Sequence, residues 1–215
     1  MHLVLRRRDE TDPWTVTNLP RVRVRGPQGI EESLAGYKVV CERALAGGLR
    51  VRGYLSTAFG CPYEGAVPPD KVIDVTERLL ALGVFEVSVS DTIGVAHPGQ
   101  VRDVLEKVVA KIPAERLALH FHDTRGTALA NVLAALPYGI TTFDASAGGL
   151  GGCPYAPGAA GNLATEDLIY MLDGLGLETG VSLAAVTEAS AFIAERLDHR
   201  LPSKYFQASR GARRT

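Results

Sequence analysis

The sequence predicts an α/β fold, a parallel sheet covered by helices, and three observations predict it. From residue 30 onward strand-like and helix-period segments alternate. The helical segments carry a single apolar stripe, as helices lying on a sheet should. The strand-like segments are short and end in polar residues suited to chemistry, among them Asp91, His120 and His122.

Taken in order, residues 1–28 form a divergent segment with no assigned element, holding Pro13, Pro20 and Pro27, six arginines and no sustained period. A strand is expected at about 50–56. A helix should start at Pro68, Pro69 and Asp70, bury Val72, Val75, Leu79 and Leu82, and stop at Gly83. The run V-F-E-V-S-V-S at 84–90 alternates and should end as a strand at Asp91 and Thr92. The clearest helix spans about 97–112, where Val101, Val104, Leu105, Val108, Val109 and Ile112 recur at helical spacing before Pro113. Strands at 117–122 and 140–146 and helices near 166–172 and 183–197 complete the pattern. Residues 201–215 are expected to form a tail, frayed from Ser209 onward.

Four strand and helix units are half of what a closed (β/α) barrel needs. Half a barrel leaves two open sheet edges, so either a pairing with another chain, a homo-oligomer, or a missing complementary part is expected. The 215 residues are 46% hydrophobic, enough for one core. With 23 basic and 24 acidic residues the net charge is −1, which provides no excess positive field for nucleic acid or an anionic membrane. No apolar stretch approaches the ~18 residues of a membrane span, and the short apolar N-terminal run does not make a signal peptide. Cys41, Cys61 and Cys153, odd in number and widely spaced, point to a reducing compartment and a cytoplasmic protein.

The segment L-A-L-H-F-H-D at 117–123 carries the most chemistry. Side chains two apart on a strand share a face, so His120 and His122 project together with Ala118, while Leu117, Leu119 and Phe121 face the helices. Two imidazoles at a strand end can begin a divalent metal site or can be a packed pair with no ligand; both readings stay open on spacing alone. The second signal is the glycine-rich run at 146–167. Its glycines at 148, 149, 151, 152, 158 and 161 would permit a mobile lid, with Cys153 able to exchange a proton with a carbanion. Asn162 could offer an amide oxygen to Mg2+ or Mn2+. A surface loop with an inert cysteine is the alternative.

These segments together resemble the hydroxymethylglutaryl-CoA lyase family, from about residue 30 to 197. The resemblance rests on I-E-E-S-L at 30–34, V-R-G-Y at 51–54, G-C-P-Y-E-G at 60–65, S-D-T-I-G-V at 90–95 and H-F-H-D-T-R-G-T-A-L-A-N at 120–131. Above all it rests on G-G-L-G-G-C-P-Y-A-P-G-A-A-G-N-L-A-T-E-D at 148–167. The histidine pattern is shared with isopropylmalate and homocitrate synthases, whereas the cysteine loop is specific to the lyase branch. The resemblance implies a partial TIM (β/α) barrel over residues 29–200, corresponding to the C-terminal half. It implies metal-dependent cleavage of 3-hydroxy-3-methylglutaryl-CoA, an acyl-CoA substrate, to acetyl-CoA and acetoacetate, chemistry of leucine degradation and ketone-body metabolism. It also implies His120, His122 and Asn162 as ligands of Mg2+ or Mn2+, Cys153 as the catalytic cysteine, Asp91 in support, and a structural Cys61.

The family's first-strand motif P-R-D-G-L-Q, with its arginine and metal-binding aspartate, does not occur here. Arg8 and Asp9 are adjacent but lack the glycine and glutamine. The match stops abruptly at Gly29, as a shifted reading frame, a misplaced start or a genuine half-barrel would produce. Two other functions therefore stay open: an inactive remnant that binds metal or a full-length homologue, and an acyl-CoA condensing synthase of the same barrel class.

Overall fold

The computed structural model describes residues 2–7, 29–152, 161–197 and 200–211. One sheet holds β1 (His2–Arg7), β2 (Leu49–Leu55), β3 (Glu86–Asp91), β4 (Leu117–Phe121) and β5 (Phe143–Asp144), in that order. The strands β2 to β5 are parallel, each beside its predecessor in sequence. Such unbroken order belongs to the wall of a (β/α) barrel, because an open doubly wound sheet reverses its strand order. The fold is α/β and a partial barrel.

The helices are α1 (Ile30–Ala46), α2 (Pro69–Ala81), α3 (Pro98–Val109), α4 (Ala128–Ala135), α5 (Thr165–Gly174), α6 (Leu183–Ala194) and α7 (Lys204–Gly211). Local chemistry explains where they start and stop. Pro69 opens α2 and Gly83, at φ 86°, follows its end. The His97 side chain accepts from the Gln100 amide to cap α3, whose Val101, Val104, Leu105 and Val108 are buried as the stripe predicts. Gly29 precedes α1 without a side-chain cap, leaving Glu31 and Glu32 in the first turn to meet the helix dipole.

Register sorts the sheet into two unlike faces. Val51, Val87, Val89, Leu117, Leu119 and Phe121 are all 2% exposed or less and pack into two apolar clusters beneath α1 to α5. The opposite face carries Arg52, Tyr54, Glu86, Ser88, Ser90, His120 and Asp144, aligned by the pairs Arg52↔Glu86, Tyr54↔Ser88, Ser90↔His120 and His120↔Asp144. A sheet with helices on one side and polar groups on the other has its chemistry on the inner, concave side.

Three expectations need correction. Residues 2–7, assigned no element, form β1, antiparallel to β2. The expected strand at 140–146 contracts to Phe143–Asp144 because Ser146 pairs with Ala164 instead of continuing along β4. The tail begins with α7, whose backbone amides at Lys204 and Tyr205 donate to the Asp167 carboxylate. Among the described residues no helix is long and apolar enough to cross a membrane.

Candidate active site

His120 is the fourth residue of β4, and His122 lies just beyond its end. The alternation that buries Leu119 and Phe121 on the helical side turns both imidazoles inward, with ring centroids 5.1 Å apart. His122 is only 5% exposed. Burial, helped by the neighbouring His120, lowers its pKa to about 4, so it is neutral at pH 7 with a lone pair available. The Nδ1 atoms of both rings are buried without a hydrogen-bond partner among the described residues.

Backbone pairing delivers the third predicted ligand. His122 and Asn162 form an antiparallel bridge, flanked by Asp123 N–H donating to Gly161 O (3.1 Å) and Leu163 N–H donating to Phe121 O (3.0 Å). Residues 161–163 thus dock against the end of β4. The Asn162 amide nitrogen donates to Leu150 O at 2.8 Å, which fixes the side chain. Gly151 makes room for it: at φ 110°, a Cβ there would lie 2.4 Å from Asn162 Nδ2.

Asp91 is fully buried, and its two oxygens accept from Val95 N–H (2.9 Å) and Ala96 N–H (3.0 Å). Burial pushes its pKa up, against the pull of those amides. Asp91 thus holds the loop that follows β3. Cys61 lies half-buried by a cavity of about 260 Å³ that Leu55, Thr57 and Glu64 also line, and the histidines do not border it. Cys153, Arg8 and Asp9 lie outside the described residues. Among the described residues no three His, Cys, Asp or Glu side chains gather around one point, so the described donors are two imidazoles and one amide.

Sequence reasoning missed the cluster under the histidines. The Arg52 guanidinium donates to Glu86, to the Tyr54 hydroxyl and, at 2.8 Å, to Asp144 Oδ1. The Ser88 hydroxyl donates to Asp144 Oδ2 at 2.8 Å. Burial by itself would raise the Asp144 pKa, but His120, Arg52 and Ser88 outweigh it and hold the carboxyl below its usual range. The signal was there in the alternation: Arg52 and Glu86 are charged residues at the inward positions of strands whose outward positions include Val51, Val87 and Val89.

The family model described as HMGL-like matches residues 31–193, which take in the inner face, both histidines and Asn162. The chain belongs to the HMGL-like family. The hydroxymethylglutaryl-CoA lyase of Bos taurus mitochondria is 52% identical over 180 residues, covering 84% of this chain and 55% of that protein. A crystal structure of the Bacillus subtilis HMG-CoA lyase superposes with a TM-score of 0.83 at 51% identity, over 85% of this chain and 61% of that one. An HMG-CoA lyase from Acinetobacter baumannii, solved with coenzyme A and 3-methylmalate, gives 0.78 at 42% identity, over 83% and 58%. This HMGL-like chain therefore spans a little over half the length of the relatives it matches, and the partial barrel is the part it shares with them.

Proposed function

We propose that the chain supplies the metal-binding face and cysteine loop of a site that cleaves 3-hydroxy-3-methylglutaryl-CoA to acetyl-CoA and acetoacetate. The observation that carries this reading is the inward His120 and His122 pair at the end of β4, with Asn162 bridged to it. Two imidazole nitrogens and an amide oxygen suit a divalent cation that accepts mixed N/O ligands, such as Mn2+, and leave room for the waters Mg2+ retains. The relative solved with coenzyme A and 3-methylmalate supports an acyl-CoA substrate with a short branched acid.

In this mechanism His120, His122 and Asn162 would hold a divalent cation at the strand end. When bound, it would supply the Lewis acidity that eases loss of the substrate's 3-hydroxyl proton. With the hydroxyl proton passed to a solvent water, C3 becomes the ketone carbon of acetoacetate as the C2–C3 bond breaks. The bond's electron pair leaves as the thioester enolate of acetyl-CoA, and the Cys153 thiol gives that carbon a proton. We take residues 29–200 as the working domain. We place the chain in the cytoplasm on its cysteine pattern; relatives carry both cytoplasmic and mitochondrial names.

The test is acetoacetate release by the purified chain with Mg2+ or Mn2+, beside Cys153→Ala and His122→Ala. Each substitution is expected to cost at least ~100-fold, the order general acid–base catalysis contributes. Turnover unaffected by either would refute the residue assignments. A second reading, a metal-binding chain without turnover, is favoured by the absence, among the described residues, of a third His, Cys, Asp or Glu grouped with the two histidines as a metal ligand. Mn2+ binding without acetoacetate release would select it. Condensation of acetyl-CoA with a 2-oxo acid would instead select a synthase.

A further inference from the structure

The polar cluster beneath the histidines has a feature that ion pairing alone does not explain. Asp144 and His120 are paired across β4 and β5, so their side chains share the inner face. His120 Nδ1 is buried with no hydrogen-bond partner among the described residues, and Asp144 Oδ2 stands 3.7 Å from it. That separation is too long for a hydrogen bond but short enough for the carboxylate to dominate the field at the nitrogen. The carboxylate cannot turn away, because Arg52 holds Oδ1 and Ser88 holds Oδ2. Arg52 is itself anchored by Glu86 and Tyr54.

A neutral imidazole carries its proton on one nitrogen. A lone pair at Nδ1 would face a fixed negative charge, whereas an N–H there would face an acceptor. We propose that Asp144, clamped by Arg52 and Ser88, is a positioning residue that fixes the proton of neutral His120 on Nδ1 and so leaves Nε2 as the free donor atom. This rests on the reading of His120 as a metal ligand only for its consequence, a pre-oriented ligand; the tautomer itself is a property of the metal-free chain. Were a cation held at Nε2, a hydrogen bond from Nδ1–H to this carboxylate would raise the histidine's strength as a ligand.

The decisive measurement is long-range 1H–15N NMR of the metal-free chain with 15N-labelled histidine, the His120 signals assigned by comparison with His120→Gln. His120 is expected as the Nδ1–H tautomer. In Asp144→Asn, Arg52 can only donate and so keeps the amide oxygen, which leaves the NH2 in the place of Oδ2, facing Ser88 and His120 Nδ1, and His120 is expected to shift to Nε2–H. An Nε2–H tautomer in the unsubstituted chain overturns the proposal, and so does an unchanged tautomer in a folded Asp144→Asn. Should that variant fail to fold, the unsubstituted spectrum decides alone. Mn2+ binding isotherms give the consequence: about a 10- to 100-fold weaker Kd for Asp144→Asn. If His120→Gln and His122→Ala leave Mn2+ affinity unchanged, the metal reading falls while the tautomer result still judges the proposal.

Discussion

Glu166 is a carboxylate with no solvent exposure, at the second position of α5, and its replacement should be severe. Both its oxygens accept from the Gly148 amide, at 2.9 and 3.1 Å, and the Ser190 hydroxyl of α6 donates to Oε1. One side chain thus ties α5 and α6 to the turn at 147–149 that opens the glycine-rich loop. Glu166→Ala leaves a buried amide and a buried hydroxyl without their acceptor, at about 1–3 kcal/mol each. It also removes a negative charge from the α5 N-terminus, worth about 0.3–1 kcal/mol. The expected loss is on the order of 3–5 kcal/mol, a large share of a typical domain's stability. With a urea m-value of about 2 kcal/mol/M, the unfolding midpoint should fall by roughly 2 M. Glu166→Gln keeps one acceptor oxygen and should cost about half as much. Equilibrium urea unfolding, followed by circular dichroism, measures both. A double-mutant cycle with Ser190→Ala should return a coupling of at least ~0.5 kcal/mol. A midpoint shift below ~0.5 M for Glu166→Ala, or no coupling to Ser190, would refute the claim that this carboxylate joins the two helices to the turn.

Two further predictions concern the site. The folded His122 pKa of about 4 lies below the ordinary value, so the unfolded chain binds more protons between about pH 6.5 and 4. The stability from keeping His122 neutral is fully present above pH 6.5 and is lost as pH falls through that window, by about 3 kcal/mol in all; His122→Asn should flatten that part of a stability-versus-pH curve, and an unchanged slope would count against it. Gly151→Ala places a Cβ against Asn162 Nδ2 at a φ that side chains rarely adopt. It should break the Asn162 to Leu150 hydrogen bond and weaken Mn2+ binding at least several-fold in calorimetry, unlike Gly152→Ala, whose Cβ meets nothing within 4 Å.

Elements governed by local pattern were legible in the sequence. The strand β4 and helix α3 carry their period and stops within their own residues, and the alternation of residues 117–122 assigned each side chain to the correct face. What failed depended on distant partners. The helix α7 buries only Phe206; Ser203 caps it locally by accepting from the Phe206 amide, but the stronger anchor is Asp167, some 37 residues upstream, which no local pattern announces. The strand β5 is cut short because residues 163–165 take over its pairing: Ser146 N–H donates to Leu163 O and Thr165 N–H to Ser146 O. The same holds within the site. His120 and His122 could be paired from spacing, but Arg52, Glu86 and Asp144 come from three strands and form a unit only once the register is known.

The reversed direction of β1 gives the sheet a handed availability to other chains. On one side, six residues of β1 occupy the hydrogen-bonding edge of β2, and a newcomer running parallel to β2 must first displace them. On the other, β5 pairs among the described residues with β4 alone, through Leu119↔Phe143 and His120↔Asp144. Recruitment of a further strand is therefore directed to the Phe143 side, where it would settle next to Asp144 and three strands away from β3. Any assembly that extends this sheet inherits that polarity, and its new strand would reach the inner face from the side of the carboxylate that underlies His120.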